Sequence, residues 1–426
     1  MNNLFEILTQ YNFWTKETQP QVGFIRNTYL EKVRKTLNTK TVKVLIGQRR
    51  TGKSYIMRQV IADLIERYNV NPQNTFYLNR ELFAFDAIKN AQDLEELFKT
   101  YIAKIKPKGK VYIFLDEVQN ISNWEKFVVS YSQDYTHDYE IFITGSNSQL
   151  LSSELATLLS GRYIQIPVYP FSYGEFLNYK SLPPEKSSFN EYLTNGGLPE
   201  LLNFADEEAK LNYIKSLKDT IILRDIIQRY SIKDASLLER IFDFLALNIG
   251  NLTSISSIFK YFKSTGEKVN FDTISDYTEF LCGAYVVHKV NRYNLKAKQV
   301  LKREYKFYLN DLSFRTFLLG SVYYNPAAYL ENYIYLTLRR AGFDVRIGSL
   351  RDTEIDFVAN NGRDVMYVQV AYLLNEQRTL ERETGNLLEI KDNYPKLLVT
   401  MDDFNFGNIQ GIKHIHAWDF EQYLKG

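Results

Sequence analysis

Residues 47–54 read GQRRTGKS, two glycines five apart followed by a lysine and a hydroxyl residue. Gly47 and Gly52 let the backbone curl so that successive N–H groups face one anion. Lys53 at this spacing reaches the β- and γ-phosphates of a nucleotide, and the Ser54 hydroxyl coordinates Mg²⁺. Gln48, Arg49, Arg50 and Thr51 fill the loop and Tyr55 follows it, so residues 47–55 together are expected to line ATP. Downstream, Asp116 and Glu117 close the apolar run Lys110–Leu115. Asp116 suits a Mg²⁺ contact, direct or through water. Glu117 is then placed as the general base on the attacking water. A second carboxylate beside the metal ligand favours hydrolysis over phosphoryl transfer to a metabolite. A third apolar run, Tyr139–Thr144, ends in Gly145, Ser146 and Asn147. Ser146 or Asn147 either hydrogen-bonds the γ-phosphate or lytic water, or forms a plain strand-end turn. Arg162, after Ser160 and Gly161, is either an arginine finger on a γ-phosphate or a surface salt bridge.

These groups need a frame. Thr41–Ile46 reads as a buried strand entering the loop. Tyr55–Tyr68 reads as an amphipathic helix leaving it, with Ile56, Val60, Ile61 and Leu64 on one face. The helix N-terminus adds partial positive charge to the phosphate site. With Tyr163–Val168 as a further strand, residues 37–170 form an alternating strand–helix α/β core. Residues 1–36 read as helical. From Tyr169–Phe176 a helical segment spans 171–235, broken at Pro183–Pro184 and Asn195–Pro199, with a long helix over Tyr213–Tyr230. Residues 236–320 give helices at Leu237–Leu247, Ser254–Lys263 and Asp272–Leu281, the last capped by Asp272 or Thr273. Paired strands Ala284–Val290 and Glu304–Leu309 follow, an arrangement that suggests a winged helix. The stretch Lys289–Lys306 sets seven cations (Lys289, Arg292, Lys296, Lys298, Lys302, Arg303 and Lys306) against Glu304 alone. Either they neutralise DNA or RNA phosphates, or they are a solvated hairpin.

Bulk properties bound the reading. A length of 426 residues predicts about two to three domains. The net charge of +2 excludes whole-molecule attraction to nucleic acid. Cys282 is the single cysteine, which rules out an intramolecular disulfide and fits a reducing cytosol. It lies in the apolar run Phe280–Ala284 and is expected to be a buried thiol. Met1–Glu6 lacks the basic start and apolar core of a signal peptide, and no apolar run approaches the ~20 residues of a membrane helix. A cytoplasmic location with no membrane partner is expected.

The segments GQRRTGKS, YIFLDEVQN with Trp124 close behind, ITGSNSQLLSSELATLLSGR, PVYPFSYGEF and GGLPE together resemble the AAA-type ATPases of the DUF4143 group. These are prokaryotic P-loop ATPases with a C-terminal nuclease-like region. The resemblance implies a catalytic-glutamate core whose sensor strand lies between the phosphate-loop strand and the Asp-Glu strand. Lys53, Ser54, Asp116, Glu117 and Ser146 then converge. It also implies that 171–235 is a helical lid. Arg224 then either senses nucleotide across the lid or contacts Asp225. Residues 321–426 resemble a restriction-endonuclease-like fold, with Glu331 on a helix begun at Tyr329 and strands at Val345–Gly348, Thr353–Ala359 and Asp364–Ala371. An active nuclease of that type needs an Asp and then Glu-x-Lys on the next strand, to bind Mg²⁺ and steady the water. Asp356 is followed instead by Gln369-Val370-Ala371. A neutral amide is a poor ligand for a hard cation, so cleavage is not expected unless Glu376 or Glu381, with Arg378, compensates. His414 and His416 alternate as in a strand and read as structural. The leading expectation is an ATPase whose cycle drives a conformational switch, associated with nucleic acid and able to oligomerise. The alternative is an ATP-gated protein-interaction module; a Mg²⁺-dependent nuclease ranks third.

Overall fold

A computed structural model describes residues 2–15, 20–148, 159, 161–350, 353–374 and 377–426. The chain divides into two compact units, residues 1–168 and 169–426.

The first unit is built on a five-stranded sheet of β1 (Val42–Ile46), β2 (Thr75–Asn79), β3 (Val111–Asp116), β4 (Tyr139–Gly145) and β5 (Tyr163–Pro167). The order is β2-β3-β4-β1-β5 and every pairing is parallel. Parallel strands covered on both faces need continuous apolar runs, and every residue of β1 and β3 is buried. Lys43 interrupts that run, and its Nζ is paired with Glu140 Oε1 at 2.5 Å. The helices of this unit are α1 (Asn2–Gln10), α2 (Asn27–Arg34), α3 (Lys53–Tyr68), α4 (Ala91–Ile105) and α5 (Trp124–Ser132). From α3, the face expected in the sequence packs with Leu45, Phe114 and Phe142 beneath it, and Met57 joins it. Each such side chain contributes about 1.5–3 kcal/mol when fully buried. Asn90 and Asp93 form a capping box that starts α4. Strand β4 lies between β1 and β3, the strand order the resemblance implies. It brings the end of β4 between the phosphate loop and Asp116. Strand β2 had no counterpart in the sequence reading.

The second unit opens with α6 (Tyr173–Lys180), α7 (Lys186–Asn195) and α8 (Glu207–Thr220). The chain then continues through a π-helical stretch, Ile221–Ile227, and one turn, Gln228–Tyr230. Three helices follow: α9 (Ala235–Leu247), α10 (Ile255–Ser264) and α11 (Phe271–Gly283). Neither Asp272 nor Thr273 caps α11. Asn270 does, its side chain accepting the Thr273 N–H at 2.6 Å. The GGLPE segment is a tight crossing, where a Cβ on Gly197 would lie 2.2 Å from the Phe171 carbonyl oxygen. The Gly197 N–H donates to Asp311 Oδ2 at 2.8 Å.

The hairpin of β6 (Val287–Asn294) and β7 (Gln299–Leu309) does not stand apart. Its first strand pairs in parallel with β8 (Asp344–Leu350) through Arg292–Asn294. With β9 (Thr353–Asn360), β10 (Val365–Ala371), β11 (Lys396–Thr400), β12 (Asn408–Ile409) and β13 (Ile412–His416), it forms one eight-stranded mixed sheet. Helices α12 (Ser313–Leu319), α13 (Pro326–Arg340) and α14 (Gln377–Leu388) belong to the same unit. Among the described residues, no helix is long and apolar enough to cross a membrane.

Candidate nucleotide site

The phosphate loop is shaped by backbone that few side chains tolerate. Gly47 has φ 153°, and a Cβ there would meet the Val168 carbonyl oxygen at 2.1 Å. Gly52, with φ 93° and ψ 16°, precedes α3, which starts at Lys53 and so two residues earlier than expected. Arg50 is also left-handed, at φ 68°. The Thr51 hydroxyl donates to the Gln48 carbonyl at 2.9 Å. One contact outside the motif holds the loop, and a second anchors the segment that makes it. Arg26 Nη1 donates to the Thr51 carbonyl at 2.9 Å. Gln59 of α3 donates to the carbonyls of Val22 and Phe24 at 2.8 and 2.7 Å. Lys53 is buried, with Nζ 3.0 Å from the Gly47 carbonyl and 3.1 Å from that of Gln48. Tyr55 is exposed at the loop's edge.

Asp116 and Glu117 face this loop. Asp116 is buried, and its Oδ2 accepts the Tyr77 hydroxyl at 2.9 Å while its Oδ1 accepts the Thr144 hydroxyl at 2.5 Å. It is also hydrogen-bonded to Ser54. Burial first, then the Glu117 charge, raises the Asp116 pKa, and the hydroxyl donors restrain that rise. A carboxylate and a hydroxyl oxygen held together are suitable oxygen ligands for Mg²⁺. Glu117 takes left-handed backbone, φ 56° and ψ 52°. Its Oε1 is 3.6 Å from Lys53 Nζ, and its Oε2 accepts from Gln119 Nε2 at 2.5 Å. Burial pushes its pKa up, but the charges of Lys53 and Arg49 and hydrogen bonds from Gln119 and Ser146 outweigh burial, leaving it below the usual glutamate value. Glu117 is therefore ionised at neutral pH. Arg49 also pairs with Glu81. Ser146 and Asn147 are both fully buried at the end of β4.

The structure thus brings Lys53, Ser54, Asp116, Glu117 and Ser146 together. It adds Tyr77, Gln119, Thr144 and Arg26, which the sequence reading passed over. Thr144 had one available signal: it lies two residues before Ser146 on β4. Of the motif around Arg162, residues 149–158 and Ser160 lie outside the described residues. Arg162 is exposed and precedes Tyr163, the partner of Val42, whereas the phosphate loop follows Ile46, the partner of Pro167. The two ends of the sheet are about 16 Å apart at about 3.3 Å per residue, so Arg162 lies at the opposite end of the sheet from the loop of its own chain. Arg224 is exposed on the π-helical stretch of the second unit, and Asp225 beside it is buried.

The basic hairpin is less charged than its sequence suggests. Lys289 pairs with Glu279 at 2.6 Å, and Arg292 pairs with Glu304. Lys306 is buried, with Nζ 2.9 Å from Glu331, 2.7 Å from Glu354 and 3.7 Å from Asp356. It is not the surface cation that the sequence predicts, because its partners lie on α13 and β9, far away in the chain. Lys296, Lys298, Lys302 and Arg303 remain exposed near the tip. Around Asp356, the Val370 N–H donates to Oδ2 at 2.8 Å, and Gln369 Nε2 donates to Glu383 at 2.8 Å. Burial, then the Glu331 charge, raises the Asp356 carboxyl above the usual aspartate range, against the pull of Lys306. The carboxylate that turns inward from α14 is Glu383, while Glu381 and Arg378 are exposed and Glu376 lies outside the described residues. Among the described residues, no group of His, Cys, Asp and Glu is arranged to hold a metal ion. Cys282 is half-buried as a residue, and burial pushes its thiol up to about 12.

Residues 39–177 match the AAA domain family, and residues 186–322 match a domain of unknown function, DUF8612. An uncharacterized protein of Haemophilus influenzae is 36% identical over 399 residues, covering 93% of this chain and 98% of its own. The chain belongs to the family of that protein. The uncharacterized protein MJ1544 of Methanocaldococcus jannaschii is 30% identical over 388 residues, covering 86% of this chain and 84% of its own. Among solved structures, that of the Aeropyrum pernix ORC1 protein in complex with DNA aligns over 74% of this chain and 97% of its own, at 14% identity and a TM-score of 0.28. Likeness of that degree fixes no function. The phosphate loop, β3 and β4 all fall inside the AAA domain.

Proposed function

We propose that the AAA domain binds ATP with Mg²⁺, hydrolyses it, and uses the cycle to drive a conformational switch. The observation that carries this reading is the meeting of Lys53, Ser54, Asp116 and Glu117 at one end of the parallel sheet. In it, the loop amides of residues 47–52 and Lys53 bind the phosphates. Ser54 and Asp116 hold Mg²⁺, which supplies charge neutralisation on the phosphates when bound. Glu117 orients and polarises water, and Ser146 lies beside it. Arg224 is a candidate nucleotide-sensing group in a helical lid.

Arg162 acts in this reading from a neighbouring copy of the chain, since the sheet separates it from its own loop. Arg162→Ala should lower turnover on the order of 10³-fold while ATP affinity stays unchanged. Mixing it with Glu117→Gln protein should restore part of the turnover, because one mixed interface regains both groups. A fully active monomer, or no rescue, would return Arg162 to a surface role.

The nucleic-acid reading now rests on Lys296, Lys298, Lys302 and Arg303 at the tip of a winged-helix-like hairpin. Four phosphate contacts give a log–log salt slope of about −3.6 on duplex DNA. Gel shifts with DNA and RNA at two salt concentrations should show that dependence, and alanine at all four positions should flatten it. Retention that ignores both salt and substitution, or none at all, favours the ATP-gated protein-interaction module. The DUF4143-like, nuclease-like reading of the C-terminal strands is kept without cleavage. It is supported by Gln369 and Ala371 at the Glu-x-Lys positions, and by Lys306 seated among the carboxylates.

A further inference from the structure

We propose that Thr144 is the positioning residue that sets both Asp116 and Glu117 for hydrolysis, a role that rests on the ATPase reading above. The need for such a residue comes from strand geometry. Successive side chains of a strand point to opposite faces, so a regular β3 would send Asp116 and Glu117 apart. The chain avoids this by turning left-handed at Glu117, φ 56° and ψ 52°, and the Glu117 carboxylate comes within 3.6 Å of Lys53 Nζ. That turn takes Glu117 out of the ladder, whose β3–β4 pairing ends at Leu115 opposite Ile143. Its N–H needs another acceptor, since a buried unpaired amide is costly.

Thr144 meets the need from the neighbouring strand. Its hydroxyl oxygen accepts the Glu117 N–H at 2.9 Å, and its hydroxyl proton goes to Asp116 Oδ1 at 2.5 Å. A hydroxyl has one proton to donate and lone pairs to accept with, and here each is spent on one of the two acidic residues. The side chain is fully buried, so water does not compete for either bond. With Tyr77 on Oδ2, both oxygens of Asp116 are oriented. Thr144 acts through the two acidic residues that it bonds. Because it sits on β4, it also links them to the strand that leads into Ser146 and Asn147.

Valine keeps the shape of threonine and removes the hydroxyl. In the full-length protein, Thr144→Val should lower kcat by about 10²-fold, the scale of a misplaced reacting group. KM and the affinity for the fluorescent analogue mant-ATP should stay within about twofold. Thr144→Ser, which returns the hydroxyl, should recover kcat to within a few-fold. Retained mant-ATP binding reports an intact AAA domain, and Thr144→Ala replaces the valine variant if that one fails to bind. A hydroxyl-free variant that binds mant-ATP and turns over at the wild-type kcat overturns this role alone, as does a serine variant as slow as valine. A wild-type protein that binds mant-ATP without turnover overturns the ATPase reading and the role together.

Discussion

Lys53→Ala is expected to abolish detectable ATP binding. Lys53 is buried at the start of α3, with its ammonium drawn onto the carbonyls of Gly47 and Gln48 at 3.0 and 3.1 Å. It is therefore already confined to the loop where the β- and γ-phosphates would lie, and little side-chain freedom is lost on binding. Two hydrogen bonds to charged phosphate oxygens at about 1.5–3 kcal/mol each correspond to about 10²–10⁴-fold in affinity. Alanine also removes the largest charge holding Glu117 below its usual pKa. The loop itself should survive, because its shape is set by Gly47, Gly52 and the Arg26 contact rather than by the lysine. Calorimetric titration with ATP and Mg²⁺ reads the outcome, and an affinity equal to wild type would remove Lys53 from the phosphate site.

Glu117→Gln should behave in the opposite way, keeping ATP while losing turnover. The amide has the shape of the carboxylate and leaves the left-handed backbone and the Thr144 bond in place. What goes is the negative charge needed to take or orient a proton of water, a contribution of about 10²–10⁴-fold in kcat. Because the charges of Lys53 and Arg49 hold the Glu117 pKa below its usual value against burial, the role proposed for it is to align and polarise water rather than to await deprotonation. Single-turnover phosphate release with bound ATP separates this from a binding defect. Wild-type release would pass the role to another group, with Ser146 and Asn147 nearest in the chain to β4's end.

The parts of this site that were legible in the sequence are local. The phosphate loop is a contiguous octet between an apolar strand and an amphipathic helix, and strand, turn and helix each have a short-range signature. Asp116 and Glu117 were legible for the same reason, at the end of an unbroken apolar run. The remaining parts depend on partners distant in the chain. Thr144 looks like any strand threonine until β4 is known to lie beside β3. Tyr77 belongs to β2, and its place beside Asp116 is set by the pairing of β2 with β3. Lys306 counts as a surface charge until Glu331 and Glu354 close around it. Glu383 rather than Glu381 faces inward because the phase of α14 is set by packing, which charge spacing does not reveal. The pairing of β6 with β8 joins segments some fifty residues apart, as Arg292 with Ile347, and no turn signal announces it. Asn270 outcompetes Asp272 as a cap because α11 begins one residue earlier than its polar start suggested.

Phosphate release from ATP by the wild-type protein, measured beside Lys53→Ala and Glu117→Gln with Mg²⁺ present, tests the central claim most directly. The account predicts turnover by the wild type and none above background for either variant, with Glu117→Gln alone still holding ATP. Turnover unchanged in both variants, or ATP bound and released intact by the wild type, would contradict it.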